Sequence, residues 1–391
     1  MFLTEEKAKR LGEIALRPAR IAFDHIEDKE VYERALRLCA KYGITELSNY
    51  VLYNSENFGG KGKKYQADRP EDLYERMKIT LDLKDEFNKT LTVDSEKVKV
   101  YSFPMRYIPL NAHERGYVGS NWNAKFLRAV QCMLIPTQGK GVGNKSFFEV
   151  SLGKNVDEFM RNLCMPEQLI ANRGKISKKS RGNLNETEEE NALRKAVWDR
   201  AQKKMEIWNT LYSCLNNERE EFINLISDNV FLPEKVLNIE IPLYIQLYLM
   251  YLTTTRLFQL IGMIDKASSK FRIVYDFIKK DCPYLYQDML DYLVSKEYQR
   301  EYIIKNFIYF FGEDGIRDLL NRIMAIERDL DNQLSRWNEI CKKDGIDYID
   351  WDLVKKYRRY VKDQKCNDNA EEVIYSSSML ELANLLNSQR R

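Results

Sequence analysis

Three short apolar runs, each ending in polar residues, organise the first hundred or so positions. Ala19 to Phe23 ends at Asp24-His25, Leu47 to Tyr53 ends at Asn54, and Val98 to Phe103 leads into Pro104-Met105-Arg106-Tyr107-Ile108-Pro109. Runs of this length, rich in β-branched and aromatic residues, predict strands. Between them the period changes to that of a helix. Val31, Ala35, Leu38 and Tyr42 recur at helical spacing, Asp28 stands where an N-cap belongs, and Gly43 marks the stop. Pro70 occupies a favoured first-turn position for a helix over Glu71–Ile79. A Gly/Lys-rich loop, Gly59-Gly60-Lys61-Gly62-Lys63-Lys64, precedes it. Strands alternating with helices in this way predict parallel βαβ units with right-handed crossovers.

Beyond the third strand the pattern turns helical. Trp122 to Leu134 carries Phe126, Ala129, Val130 and Met133 on one side, Phe147 to Leu152 reads as a short strand or a helix start, and Asp157 to Leu163 is helical. Arg173, Lys175, Lys178, Lys179 and Arg181 lie in a Gly/Ser-containing stretch with the composition of an exposed linker. From 187 onward helices follow one another: 192–215, 220–226, 242–264, 270–280, 285–296, 301–310, 314–341, 351–362 and 371–388. The expected organisation is a partial (β/α) barrel of about three parallel strands in 1–135, a connecting segment with the basic linker in 136–186, and an α-helical domain in 187–391.

Composition narrows the class. The chain has 391 residues, 44% hydrophobic and 31% charged, with a net charge of +3, the profile of a globular protein and too weakly basic to imply nucleic acid by itself. No signal peptide is recognisable at the start. The longest apolar stretch, Ile241–Ile264, is interrupted by Gln246, Thr253-Thr254-Thr255, Arg256 and Gln259, so it reads as a buried core helix and not a membrane span. Seven cysteines, at 39, 132, 164, 214, 282, 341 and 366, are scattered and odd in number, the usage expected of reduced thiols in the cytoplasm.

Candidate chemistry collects at the carboxyl ends of the strands, where parallel α/β folds bind ligands. His25 is one of only two histidines; it serves either a ligand or the helix that follows. Arg106 suits a carboxylate or phosphate held by a bidentate pair, or else a structural salt bridge. The next loop, His113 to Trp122, is dense in recognition groups, Arg115 and Trp122 among them. Gly139-Lys140-Gly141-Val142-Gly143-Asn144-Lys145-Ser146 imitates a phosphate loop, but Asn144 stands where glycine is needed and no clear strand precedes it. In the helical half, Tyr302, Phe307, Tyr309, Phe310 and Phe311 read as core, and Lys355-Lys356-Tyr357-Arg358-Arg359-Tyr360 is the best candidate for a base-stacking surface.

Three segments carry a resemblance: Pro18-Ala19-Arg20-Ile21-Ala22-Phe23-Asp24-His25; Leu47-Ser48-Asn49-Tyr50-Val51-Leu52-Tyr53-Asn54 with Pro70-Glu71-Asp72-Leu73-Tyr74-Glu75-Arg76; and Phe103-Pro104-Met105-Arg106-Tyr107-Ile108-Pro109. Together they make residues 17–173, about two-fifths of the chain, similar to the later part of the radical S-adenosylmethionine (radical SAM) enzymes. The resemblance implies the fourth, fifth and sixth units of a partial barrel, with S-adenosylmethionine and a [4Fe-4S] cluster as cofactors. It puts Asp24, Tyr53, Asn54 and Arg106 where that family contacts the cofactor, and makes His25, Tyr107, Arg115 and Trp122 the candidate substrate residues. The family's Cys-x3-Cys-x2-Cys loop, which offers three thiolates to three irons, is absent: Cys39 lies on a predicted helix and no other cysteine precedes Cys132. No metal ligands are therefore assigned, and the implied enzyme is inactive as this chain alone. The missing half admits three explanations: a truncated gene product with Met1 an internal start, one subunit of a split enzyme whose partner chain supplies the cluster-binding half-barrel, or a degenerate barrel that only binds. The competing function class is a non-catalytic binding or scaffold protein whose helical half recognises a macromolecule, nucleic acid being one candidate.

Overall fold

The computed structural model describes residues 3–14, 17–60, 62–89, 97–112, 116–135, 139, 141, 144–173, 188–294, 301–325 and 339. Of the basic linker only Arg173 is described, and it is part-buried with its Nη2 donating to Ser151 O and not exposed as expected; the rest of the linker, Arg115 and the tyrosine–arginine stretch near 357 lie outside the described residues. The chain divides into two compact units, Met1–Val230 and Phe231–Arg391.

In the first unit α1 (Glu5–Glu13) precedes β1 (Ala19–Ala22), α2 (Lys29–Lys41), β2 (Glu46–Tyr53), a hairpin of β3 (Phe58–Gly60) and β4 (Lys63–Tyr65), α3 (Pro70–Lys89) and β5 (Lys99–Arg106). Strands β1, β2 and β5 form one sheet in that order, every pairing parallel. The three predicted strands are therefore present, within a molecule that is otherwise mostly helical. β5 runs on through Pro104, opposite Val51, a residue an edge strand tolerates because its missing N–H points away from the partner. The predicted Gly/Lys-rich loop folds as the β3–β4 hairpin, pairing Phe58 with Tyr65.

One face of the sheet packs on α2 and α3. Ala19, Phe23, Leu47, Val98 and Val100 meet Tyr32, Leu36 and Cys39 of α2 and Ile79 and Leu83 of α3 in one buried cluster. The buried row of α2 is thus Tyr32, Leu36 and Cys39, one position on from the row predicted. Tyr32 wins the inward place because its ring stacks on Phe23 at 4.2 Å and its hydroxyl lies 3.0 Å from that of Thr80. Asp28 stands at the α2 N-cap but makes no capping bond, since a 3-10 turn over Ile26–Asp28 runs straight into the helix. Among the described residues the opposite face is only partly covered, with Ser48 buried and Tyr50, Leu52 and Phe103 half-buried. By strand alternation it presents Ala22, Tyr50, Leu52, Tyr101, Phe103 and Met105; Tyr101 and Met105 are 40% and 50% exposed, and the rings of Tyr50 and Phe103 lie 5.9 Å apart.

The first unit is completed by α4 (Ala124–Leu134), α5 (Lys145–Ser151), α6 (Val156–Cys164), α7 (Glu167–Ala171), α8 (Glu188–Ser213) and α9 (Arg219–Ile226). Asn123, Asn144 and Asn155 each cap a helix by accepting a backbone N–H three residues on, so Asn144 starts a helix where a phosphate loop would need glycine. Helix α8 belongs to this unit: Trp208 is fully buried and stacks on Tyr212, whose hydroxyl donates to the Cys164 thiol.

Among the described residues the second unit contains α10 (Pro233–Asn238), α11 (Pro242–Leu249), α12 (Thr254–Met263), α13 (Ser269–Asp276), α14 (Pro283–Val294) and α15 (Glu301–Ala325). The predicted helix over 242–264 is two helices, because the Thr253 side chain accepts from Arg256 N–H and begins a new one. The two helices predicted at 301–310 and from 314 are the two arms of α15, separated at Gly312, whose φ of +58° is non-helical and suits glycine. Phe307, Phe310 and Phe311 are buried in an aromatic cluster with Phe271, Tyr275 and Tyr286, the core expected of them. Tyr309 is exposed, with the Lys266 ammonium 4.7 Å above its ring. No helix among the described residues is long and apolar enough to cross a membrane.

Candidate functional site at the strand ends

The carboxyl ends of β1 and β2 are fastened to α3 by a residue that never reaches solvent. Arg76 is wholly buried. Its Nη1 donates to the carbonyls of Phe23 (3.0 Å), Asp24 (2.6 Å) and Leu52 (2.6 Å), its Nε to Asp72 O, and its Nη2 to the Asp68 carboxylate. Asp68 in turn accepts the Asn54 N–H at 2.9 Å and the Trp122 indole N–H on its carbonyl at 3.0 Å. Burial pushes the Asp68 carboxyl up to about 7, with the Arg76 guanidinium and the Asn54 N–H opposing. Burial likewise lowers Arg76. A buried charge demands a partner, and here one ion pair also collects the carbonyls that two parallel strands leave at their ends.

Around this pair the sequence candidates take up distinct places. Asn54 is fully buried with φ +71°, a left-handed conformation that asparagine accepts more readily than most residues. Its amide is saturated by backbone: Nδ2 donates to Tyr107 O and Tyr117 O, and Oδ1 accepts the Gly119 N–H. Gly119 has no room for a side chain, since a Cβ would stand 2.9 Å from Asn54 O. Tyr53 is buried against Trp122, ring centroids 5.4 Å apart, and burial raises its hydroxyl to about 12. The Asp24 carboxylate accepts the Leu52 N–H at 3.3 Å. Arg106 donates through Nη2 to Tyr117 O, while its Nε is buried with no hydrogen-bond partner. Tyr107 sits edge-on to Tyr117. Asn54, Tyr53 and Trp122 thus hold the strand ends and the 117–122 loop together, and Arg106 keeps one buried donor for an acceptor.

A cavity of about 460 Å³ opens beside the network. Of the sequence candidates among the described residues it takes in His25; Glu27, Asn57, Gln66, Arg69, Asp72 and Asn121 are among the others that line it. The His25 ring stacks on Tyr65 at 4.1 Å, and burial lowers its pKa against the opposing charge of Asp24. Asp68 and Arg76 are the site residues that strand-end reasoning missed. The signal was a charged residue on the apolar face of the Pro70–Arg76 stretch, four positions after Asp72. Lys125 was missed as well: fully buried on α4, it donates to Leu163 O and Met165 O at the end of α6, and burial pushes it down to about 8.

The described residues do not fit an iron–sulfur cluster. Cys39, Cys132, Cys164 and Cys282 are separate and buried, Cys214 is exposed, and among the described residues no group of three or more His, Cys, Asp or Glu is placed to hold a metal ion. Comparison of the chain with protein-family models, with curated proteins and with solved structures gives no match in any of the three.

Proposed function

We propose that residues 17–173 are three successive units of a larger βα barrel of the radical SAM type, and that their strand ends form one wall of a pocket for S-adenosylmethionine and substrate. The observation that carries this reading is the unequal cover, among the described residues, of the two faces of an all-parallel sheet. Such sheets are normally buried on both faces; here α2 and α3 cover one face, and Tyr50, Leu52, Tyr101, Phe103 and Met105 are left on the other. In a barrel that second face is the interior.

The chain's own residues divide the work. Arg76, Asp68 and Asn54 fix the strand ends, so they position the wall without touching the ligand. Arg106 supplies the unpaired Nε, a donor suited to the carboxylate of an amino-acid-like ligand. Asp24, on the open face, offers a carboxylate oxygen to a ligand hydroxyl or amine. On this reading the cluster cysteines belong to residues outside this sequence.

Isothermal titration of the purified chain with S-adenosylmethionine tests the reading. Saturable one-to-one binding is expected, weakened about tenfold by Arg106→Ala with the circular dichroism unchanged. Absence of saturable binding at millimolar ligand would sink it.

A further inference from the structure

The connection from β2 to α3 is out of proportion to its task. It runs over residues 54–69, sixteen positions between Tyr53 and Pro70, where βα connections usually take about 2–6. Long connections that keep their own structure at the carboxyl end of a parallel sheet are usually there for recognition. This one spends its length on the β3–β4 hairpin.

The hairpin builds an aromatic ladder. Phe58 and Tyr65 face each other across the two strands, ring centroids 6.4 Å apart and planes 23° from parallel. His25 stacks on Tyr65 in the same sense, at 4.1 Å and 23°. The ladder ends in Phe58, whose side of the stack is open: the residue is 59% exposed. An exposed phenylalanine alone needs no explanation. At the end of a ring stack, on a glycine-rich hairpin, beside a cavity, it presents a flat face of the kind bases stack on.

The neighbouring chemistry suits a base and a backbone. Asn57 and Gln66 flank the two hairpin aromatics and line the cavity together with Asn121 and Ser120. Asn57 Oδ1 already accepts the Ala67 N–H and Asn121 Nδ2 donates to Ala67 O; the other polar atoms of these amides, the Gln66 amide and the Ser120 hydroxyl match the mixed donor and acceptor edges of nucleobases. Carboxylates in the wall are already engaged, Glu27 by the Gln66 N–H, Asp72 by the Arg69 N–H and Asp68 by Arg76. Lys64 is exposed on β4, opposite Gly59 and so on the other face of the hairpin from Tyr65, and Arg69 is mostly exposed at the cavity rim with its guanidinium 3.6 Å from the Asp72 carboxylate; both cations are accessible to a phosphate from solvent.

We infer that the β3–β4 hairpin is a binding site for single-stranded nucleic acid, stacking a base on Phe58, reading the next one in the cavity, and holding phosphates with Lys64 and Arg69. The combination of a stacking platform and basic side chains is the general means of gripping a single strand. The site shares His25 and Asn57 with the strand ends of the cofactor reading but uses neither Arg106 nor the open face of the sheet, so Arg106→Ala and Phe58→Ala separate the failure of one from the failure of the other.

Fluorescence anisotropy with fluorescein-labelled oligouridylate and oligothymidylate, titrated with the full chain at low and moderate salt, tests it. Saturable binding is expected to at least one of the two, the better one showing whether the 2′-hydroxyl is read. Phe58→Ala should weaken binding about tenfold or more, the loss of one base stack, and Phe58→Trp should retain it. Lys64→Gln should reduce the salt slope by about 0.7, one phosphate contact to a single strand. The inference is overturned if neither oligonucleotide binds saturably at low salt. It is equally overturned if Phe58→Ala binds as the parent does, or if Phe58→Trp loses as much as Phe58→Ala.

Discussion

Arg76 brings a full charge into a place no water reaches, and its neighbours explain why it can stay there. Five acceptors surround it, and the Asp68 carboxylate is the only one among them that carries charge. The pair is costly to bury, and the pH dependence of folding should report that cost. Asp68 has its folded pKa raised from the ordinary 3.8 to about 7. A raised pKa means that the folded state holds the proton more tightly, so the group's contribution is fully present below pH 3.8 and is lost as pH climbs through 7. Urea unfolding of the parent should therefore show stability falling over that interval, and Asp68→Asn should flatten the fall. An unchanged pH profile in the variant would place the titration on another group.

At the scale of elements, the parallel strands were legible because each is a short apolar run cut off by polar residues, and no tertiary contact has to be known to see that. The α2 register was not, because Val31, Ala35 and Leu38 form as good an apolar row as Tyr32, Leu36 and Cys39; the stack of Tyr32 on Phe23 decides between them. The hairpin escaped notice because three glycines and three lysines read as loop, while the pairing is set by Phe58 and Tyr65 at its ends. Strand-end reasoning found Asn54 and Trp122 by position but not their work, since a side chain saturated by backbone partners looks in sequence like one waiting for a ligand. In the helical unit, α12 and α15 approach at Gly262, where a Cβ would collide with the Asn306 side chain. Asn306 in turn donates to Phe258 O at 2.8 Å. Gly262→Ala should therefore displace the Asn306 side chain and cost its hydrogen bond to Phe258 O, about 0.5–1.5 kcal/mol, read as a lowered thermal midpoint. Adding Asn306→Ala should then cost little more, and a fully additive pair would rule out the contact as its cause.

The molecule as a whole comprises a unit built on a parallel sheet and a helical unit, and the proposed chemistry belongs to the first. A parallel sheet with one face only partly covered among the described residues, strand ends fixed by a buried arginine, and the Arg106 Nε, one of three buried arginine donors without an acceptor (with Arg161 and Arg173), are three separate observations. The barrel reading accounts for all of them by assigning the open face to an interior and the donor to a ligand. Photolabelling the intact chain with 8-azido-S-adenosylmethionine, followed by peptide mapping, tests that reading most directly. The account predicts saturable labelling, competed by unmodified S-adenosylmethionine, in the peptides that carry the ends of β1, β2 and β5 (residues 19–25, 46–57 and 99–107). Competed labelling confined to the helical unit after Val230, or no competed labelling at all, would contradict it.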